Sequence, residues 1–186
     1  SISLIDAEAN KIDQHITRIA KTLIDISRSA KGDLPHVYYA ARNIFSTLKN
    51  MAVPMNLYED ARRAHPQYKT LKFNLTKIFT SQYLDMNENQ IALIQPIWDS
   101  LASDFLDLYN MLSNENKKYD KLMKHVTSEG FDSTTIILAD ALQVDILRDI
   151  LMDQYPQLAI PVTCFKDMNH TDYLNNHVLL TGTWKN

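Results

Sequence analysis

Glycine is almost missing from this chain of 186 residues: it occurs three times, at positions 32, 130 and 182. A single cysteine, Cys164, excludes an intramolecular disulfide framework and suits a reducing compartment. It lies in the apolar run Ile160-Pro161-Val162-Thr163-Cys164-Phe165, where it reads as a small buried strand residue rather than a nucleophile. Long apolar runs are also missing. No stretch approaches the ~18 uninterrupted apolar residues of a membrane span, and Asp6, Glu8, Lys11 and Asp13 break up the first residues, so they do not read as a signal peptide. A cytoplasmic protein with no membrane partner is expected. There is little excess of charge of either sign. The net charge of −3 makes neither a polyanion nor an anionic membrane the default partner.

What is present divides at Gly130. Residues 1–130 carry 16 Lys/Arg against 15 Asp/Glu, and residues 131–186 carry 3 against 7, so the acidic excess lies in the second part. The first part reads as helical. Ile5, Ala9, Ile12, Ile16, Ile19, Leu23, Ile26 and Ala30 alternate steps of four and three, which keeps an apolar stripe on one face of a helix. Gly32 supplies its stop. Asp33 then reads as the N-cap of a second helix with Val37, Ala41, Ile44, Leu48 and Met51 inward, ended by Pro54. A short helix over Leu57 to Ala64 follows. A fourth has Tyr68, Leu71, Leu75, Ile78 and Phe79 inward and ends near Leu84.

The longest pattern runs Ile91, Ile94, Trp98, Leu101, Phe105, Leu108 and Leu112, then resumes in phase at Tyr119, Leu122 and Val126. The preserved phase predicts one continuous helix across the polar run 113–118, with Pro96 kinking it or marking its regular start. Stripes of this length predict a helical bundle, with partner helices or homodimerisation as further uses of the apolar faces.

From residue 131 the signal changes. Thr134 to Ala139 reads as a buried parallel strand, Leu142 to Tyr155 as an amphipathic helix, Ile160 to Phe165 as a second strand and Val178 to Thr183 as a third. The expected fold is therefore mainly α: a helical bundle module over 1–130, then a partial three-stranded parallel α/β unit over 131–186. With two residues following Trp184, the chain reads as a piece of a longer protein.

The order of strand, helix over Val-Asp-Ile-Leu-Arg-Asp-Ile-Leu, strand, polar turn with Thr171-Asp172-Tyr173-Leu174, and Val-Leu-Leu-Thr-Gly resembles part of a RecA-like domain of superfamily one and two helicases. The resemblance spans about residues 134–184. It implies a nucleotide-fold domain in a nucleic-acid-processing protein. The chain departs from that family in having no G-x-x-x-x-G-K-[ST] loop, no Asp-Glu pair on a strand and no arginine set as a finger.

Candidate sites follow from position and chemistry. Asp140, at the carboxyl end of the first strand, and Thr181 with Gly182, at the end of the third, occupy the edge where open α/β sheets bind cofactors. Asp140 also reads as the cap of the next helix. Arg62, Arg63, Lys69 and Lys72, interleaved with Tyr58, Tyr68 and Phe73, have the mixture of cations and aromatics that single-stranded nucleic acid uses. Lys117, Lys118, Lys121 and Lys124 form a second basic run. His170 and His177 with Asp167 and Asp172 match no recognised metal spacing and read as solvated loop residues. No motif calls for a cofactor, and no catalytic residue is assigned. The expected function is a non-catalytic interaction or positioning module of a larger protein. The alternative is part of an enzyme with a small-molecule or nucleotide site near Asp140.

Overall fold

The computed structural model describes residues 2–5, 11–80, 85–128, 134–167 and 177–181, with side chains on all of these except 2–5 and 177–180. It is mainly helical with a small parallel sheet. The elements in chain order are β1 (Ile2–Ile5), α1 (Lys11–Ser29), α2 (His36–Lys49), α3 (Met55–Ala64), α4 (Leu71–Thr80), α5 (Glu88–Asn114), α6 (Lys117–Val126), β2 (Thr134–Leu138), α7 (Ala141–Gln154), β3 (Val162–Cys164) and β4 (His177–Thr181).

These elements form two compact units, and the division does not fall at Gly130. One unit takes Ser1–Glu8, Asn50–His65 and Glu115–Asn186; the other takes Ala9–Lys49 and Pro66–Asn114. Two helices and a strand from the expected bundle thus belong with the sheet. Helical periodicity reports that a face is buried, not which core buries it, so local composition could not place this boundary.

In the helical unit, α1 packs along α5, and α2 and α4 complete the core. Ile19, Leu23 and Ile26 of α1 meet a core holding Trp98, Leu101, Phe105 and Leu108 of α5, all 4% exposed or less. Phe105 stands edge-on to Phe45, with ring centroids 6.3 Å apart, and Phe79 tilts against Trp98 at 4.9 Å. Aromatic pairs in such geometries add about 0.5–1.5 kcal/mol beyond area burial. Asn87 and Gln90 close a reciprocal capping box at the start of α5: Gln90 N–H donates to Asn87 Oδ1 at 2.9 Å, and Asn87 N–H to Gln90 Oε1 at 3.1 Å. Pro96 lies inside α5, which continues through it. After α1, Gly32 takes φ +97°, the left-handed conformation expected of it.

Three local features differ from the expectation. Asp33 does not cap α2; its carboxylate accepts from Asn87 Nδ2 at 3.2 Å and Gln90 Nε2 at 2.9 Å. Tyr68 is 45% exposed rather than inward. Ile5 lies in the strand β1 rather than on the stripe of α1. Its spacing to Ile12 fits a helix, but a parallel partner far along the chain overrides local preference.

The other unit holds a sheet of four parallel strands in the order β1-β4-β2-β3, one more than the sequence suggests. Ile2 pairs with Val178, Ile137 with Leu180 and Ile136 with Val162. All five residues of β2 are buried, as befits a parallel strand covered on both faces. Helix α7 packs on β2 and β3, and α3 packs on α7. At the sheet's edge, Arg148 of α7 donates from Nε and a terminal nitrogen to the Val162 carbonyl, at 3.1 and 2.7 Å. That bond occupies an acceptor that an edge strand would otherwise offer to another chain.

The expected long helix is broken. α5 ends at Asn114 and α6 begins at Lys117, because Asn116 caps α6 by accepting from Tyr119 N–H at 3.2 Å. Its amide also donates to the carbonyls of Met51 (3.3 Å) and Val53 (2.9 Å). The preserved apolar phase spans two helices that serve different cores.

Candidate functional site at the carboxyl edge of the sheet

Parallel strands present their carboxyl ends on one edge, and here that edge gathers the groups at Asp140 and Thr181. Since Ile137 faces Leu180 in the β2–β4 register, Thr181 lies beside Leu138, two residues before Asp140. The sequence-based pairing of these positions is therefore brought together by adjacent strands. Gly182 lies outside the described residues.

Asp140 has an extended backbone (φ −146°, ψ 161°) and caps α7. One carboxylate oxygen accepts from Gln143 N–H at 2.9 Å, and the other from Gln143 Nε2 at 2.8 Å. Gln143, fully buried, uses its own carbonyl oxygen to accept from Ala52 N–H at 2.8 Å. Met51, Ala52 and Val53 are wholly buried without belonging to a helix or strand, so their backbone groups need side-chain partners. Gln143 satisfies the one amide, and Asn116 the two carbonyls. Neither was singled out from sequence. The run Asp140-Ala141-Leu142-Gln143 carried a signal for Gln143, the spacing of a capping box. Nothing local pointed from Asn116 to residues more than sixty positions earlier.

Thr181 is also spent within the fold. It is fully buried, and its hydroxyl donates to the Ile137 carbonyl at 3.3 Å. Cys164 is buried as expected, and its thiol donates to Asp167 Oδ2 at 2.9 Å. Burial, reinforced by that carboxylate, pushes the Cys164 thiol up, which disfavours the thiolate that a nucleophile would need. Asp140 retains one capacity: each carboxylate oxygen has a further lone pair, and the side chain is not fully buried.

Tyr58 of α3 belongs to the same neighbourhood. Burial raises its hydroxyl to about 12, the negative charge of Asp140 adds to the rise, and Arg62 opposes it. The Arg62 guanidinium lies 5.9 Å from the Tyr58 ring centroid, a cation–π contact. Arg63 pairs with Asp60 one turn earlier.

The four basic residues considered for nucleic acid divide between the units. Arg62 and Arg63 lie on α3 of the sheet-containing unit. Lys69 precedes α4 and Lys72 lies in its first turn, both in the helical unit and both exposed. Lys118, from the second basic run, is only 7% exposed. His170 and Asp172 lie outside the described residues, and His177 belongs to β4. Among the described residues, no group of three or more His, Cys, Asp or Glu side chains could hold a metal ion. Among the same residues, no helix is long and apolar enough to cross a membrane.

No family model, curated protein or solved structure matches the chain.

Proposed function

We propose that this chain is a non-catalytic interaction and positioning module of a larger, helicase-like nucleic-acid-processing protein. Its sheet-containing unit would be a piece of a RecA-like nucleotide fold, and its helical unit a docking element for a protein partner or for a second copy of the chain. The observation that carries this reading is the use made of the sheet's carboxyl edge. Asp140 is bound through both oxygens by Gln143, and the Thr181 hydroxyl is given to the Ile137 carbonyl. Groups that would bind a ligand in an open α/β site serve here to hold the fold. The parallel order β1-β4-β2-β3, with α7 crossing between β2 and β3, supports the doubly wound character.

Single-stranded DNA or RNA is the nucleic-acid partner proposed for Arg62, Arg63, Lys69 and Lys72. Binding at low salt should weaken steeply as salt rises, and charge reversal of the pairs Arg62/Arg63 and Lys69/Lys72 should each reduce the salt slope. An absence of binding at low salt rejects the nucleic-acid part of the reading.

A second reading has one observation in its favour: Asp140 and Thr181 lie at adjacent strand ends, and Asp140 has lone pairs to spare. It makes the chain part of an enzyme with a nucleotide or small-molecule site there. Thermal-shift measurements with ATP and ADP separate the two, because a ligand that binds the folded state raises its melting temperature. The positioning reading expects no rise. The enzyme reading expects a rise that Asp140→Ala abolishes.

A further inference from the structure

Three polar side chains meet where α1 packs along α5: His15, Arg18 and Asp104. His15 lies on the buried stripe of α1, between Ile12 and Ile19, where periodicity alone calls for an apolar residue. It is 9% exposed, and a buried imidazole needs polar partners. Asp104 Oδ1 lies 3.2 Å from His15 Nδ1, and the same oxygen accepts from Arg18 Nε at 3.1 Å. Lys11 and Asp107, one turn from His15 and Asp104 respectively, are exposed. On α2, which also packs on α1, the charged or titratable residues are His36 and Arg42, both exposed, and Lys49 in the last turn. Among the described residues, only Arg18 and Asp104 bond to the imidazole.

The position of Arg18 decides what that imidazole can do. Its terminal nitrogen Nη2 lies 2.7 Å from His15 Nδ1 and 3.2 Å from Nε2. The lone pairs or protons of the two ring nitrogens lie in the ring plane and point away from each other. A group this close to both nitrogens therefore lies over the ring face and along neither. Nδ1–H is then free to donate to Asp104, which selects one neutral tautomer and leaves the Nε2 lone pair to receive a further proton. A guanidinium stacks on a neutral ring, but it is repelled at this distance by an imidazolium. Asp104 is a single charge and can neutralise only one of the two cations. Arg18 is the one with room to leave, its side chain being 50% exposed against 11% for His15.

We propose that these three side chains form a pH-sensitive switch, in which a proton taken up at His15 Nε2 drives Arg18 off the ring and leaves Asp104 paired with the imidazolium. The polar bridge from α1 to α5 is kept, while its cation changes from Arg18 to His15. Arg18, held against a carboxylate before proton uptake, becomes a surface cation after it. The switch is independent of the function proposed above, since none of its residues lies at the sheet edge or among the proposed nucleic-acid contacts.

NMR of the full chain from about pH 5 to 8, the range in which imidazoles commonly change charge, tests it. At the upper end the shifts of the two ring nitrogens should place the His15 proton on Nδ1. As His15 titrates, the Arg18 Nε–H signal should move with the same midpoint, and its exchange with water should rise relative to that of the exposed Arg42. His15→Gln keeps a donor for Asp104 and removes the titrating ring, so this response of Arg18 should disappear. The proposal is overturned if the neutral ring carries its proton on Nε2, or if His15 takes up no proton in this range. It is equally overturned if Arg18 tracks Arg42 through the His15 titration, or still responds in His15→Gln. All but the last of these are read on the unaltered chain, so they decide the matter even where the variant fails to fold.

Discussion

At the scale of the residue, two side chains in the sheet-containing unit carry more than their own burial. Gln143 joins the α7 cap to the buried backbone of Ala52. Gln143→Ala removes both links and strands the Ala52 N–H away from water, at a cost of about 2–4 kcal/mol for an unsatisfied buried donor plus a weakened cap. Urea unfolding should read that loss, whereas Asp140→Ala, which removes the cap and one partner of the Gln143 amide but leaves the bond to Ala52, should cost less, about 1–2 kcal/mol. Equal losses would mean that the bond to Ala52 contributes nothing. Tyr58 gives a prediction in pH. Its folded hydroxyl is held at about 12, chiefly by burial and then by Asp140, against ~10 in an unfolded chain. As pH rises through 10 the unfolded state releases this proton while the folded state keeps it, so stability falls progressively from about pH 10 to 12. Tyr58→Phe should flatten that decline, measured by denaturant midpoints across the range.

At the scale of the element, the break between α5 and α6 shows what sequence could and could not disclose. The helices themselves were legible, because Ile12, Ile19, Leu23 and Ile26, or Ile94, Trp98, Leu101 and Phe105, repeat at the spacing of a buried face and are buried. The α7 cap was legible from Asp140 and the apolar run behind it. The break was not, since Leu112, Tyr119 and Leu122 keep phase across it. What decides it is Asn116, whose amide turns towards Met51 and Val53 instead of lying on a helix surface. The same holds for β1, where Ile2–Ile5 pairs with a strand about 175 positions later, and for Asp33, which serves residues over fifty positions away. Each of these misses rests on a contact between distant segments that leaves no local period. Asn116→Ala should cost about 2–3 kcal/mol, from one cap and two unpaired carbonyls. Asn116→Asp keeps the cap acceptor but turns a buried carboxylate oxygen onto the two carbonyls, so it should cost at least as much as Asn116→Ala. Urea unfolding of the two variants checks that ordering.

At the scale of the whole molecule, the two compact units have separate apolar cores, and the chain builds both from interleaved segments. One is aromatic, centred on Trp98 and Phe105; the other is aliphatic, with Ile136, Leu138 and Leu147 fully buried. Apolar contacts act only between groups that touch, so damage to one core should first be felt in its own unit. Phe105 is fully buried, stands edge-on to Phe45 and tilts against Phe79. Phe105→Ala should therefore cost about 3–5 kcal/mol, from lost transfer energy and the cavity left behind. Native-state hydrogen exchange reads where that loss falls. Amides of α1, α4 and α5 should lose protection by roughly the full amount, while those of Ile136, Ile137 and Leu147 should hold theirs. If the amides of β2 and α7 lose protection in step with α5, the units unfold together, and the interleaved chain rather than the packing of each core sets the cooperative unit.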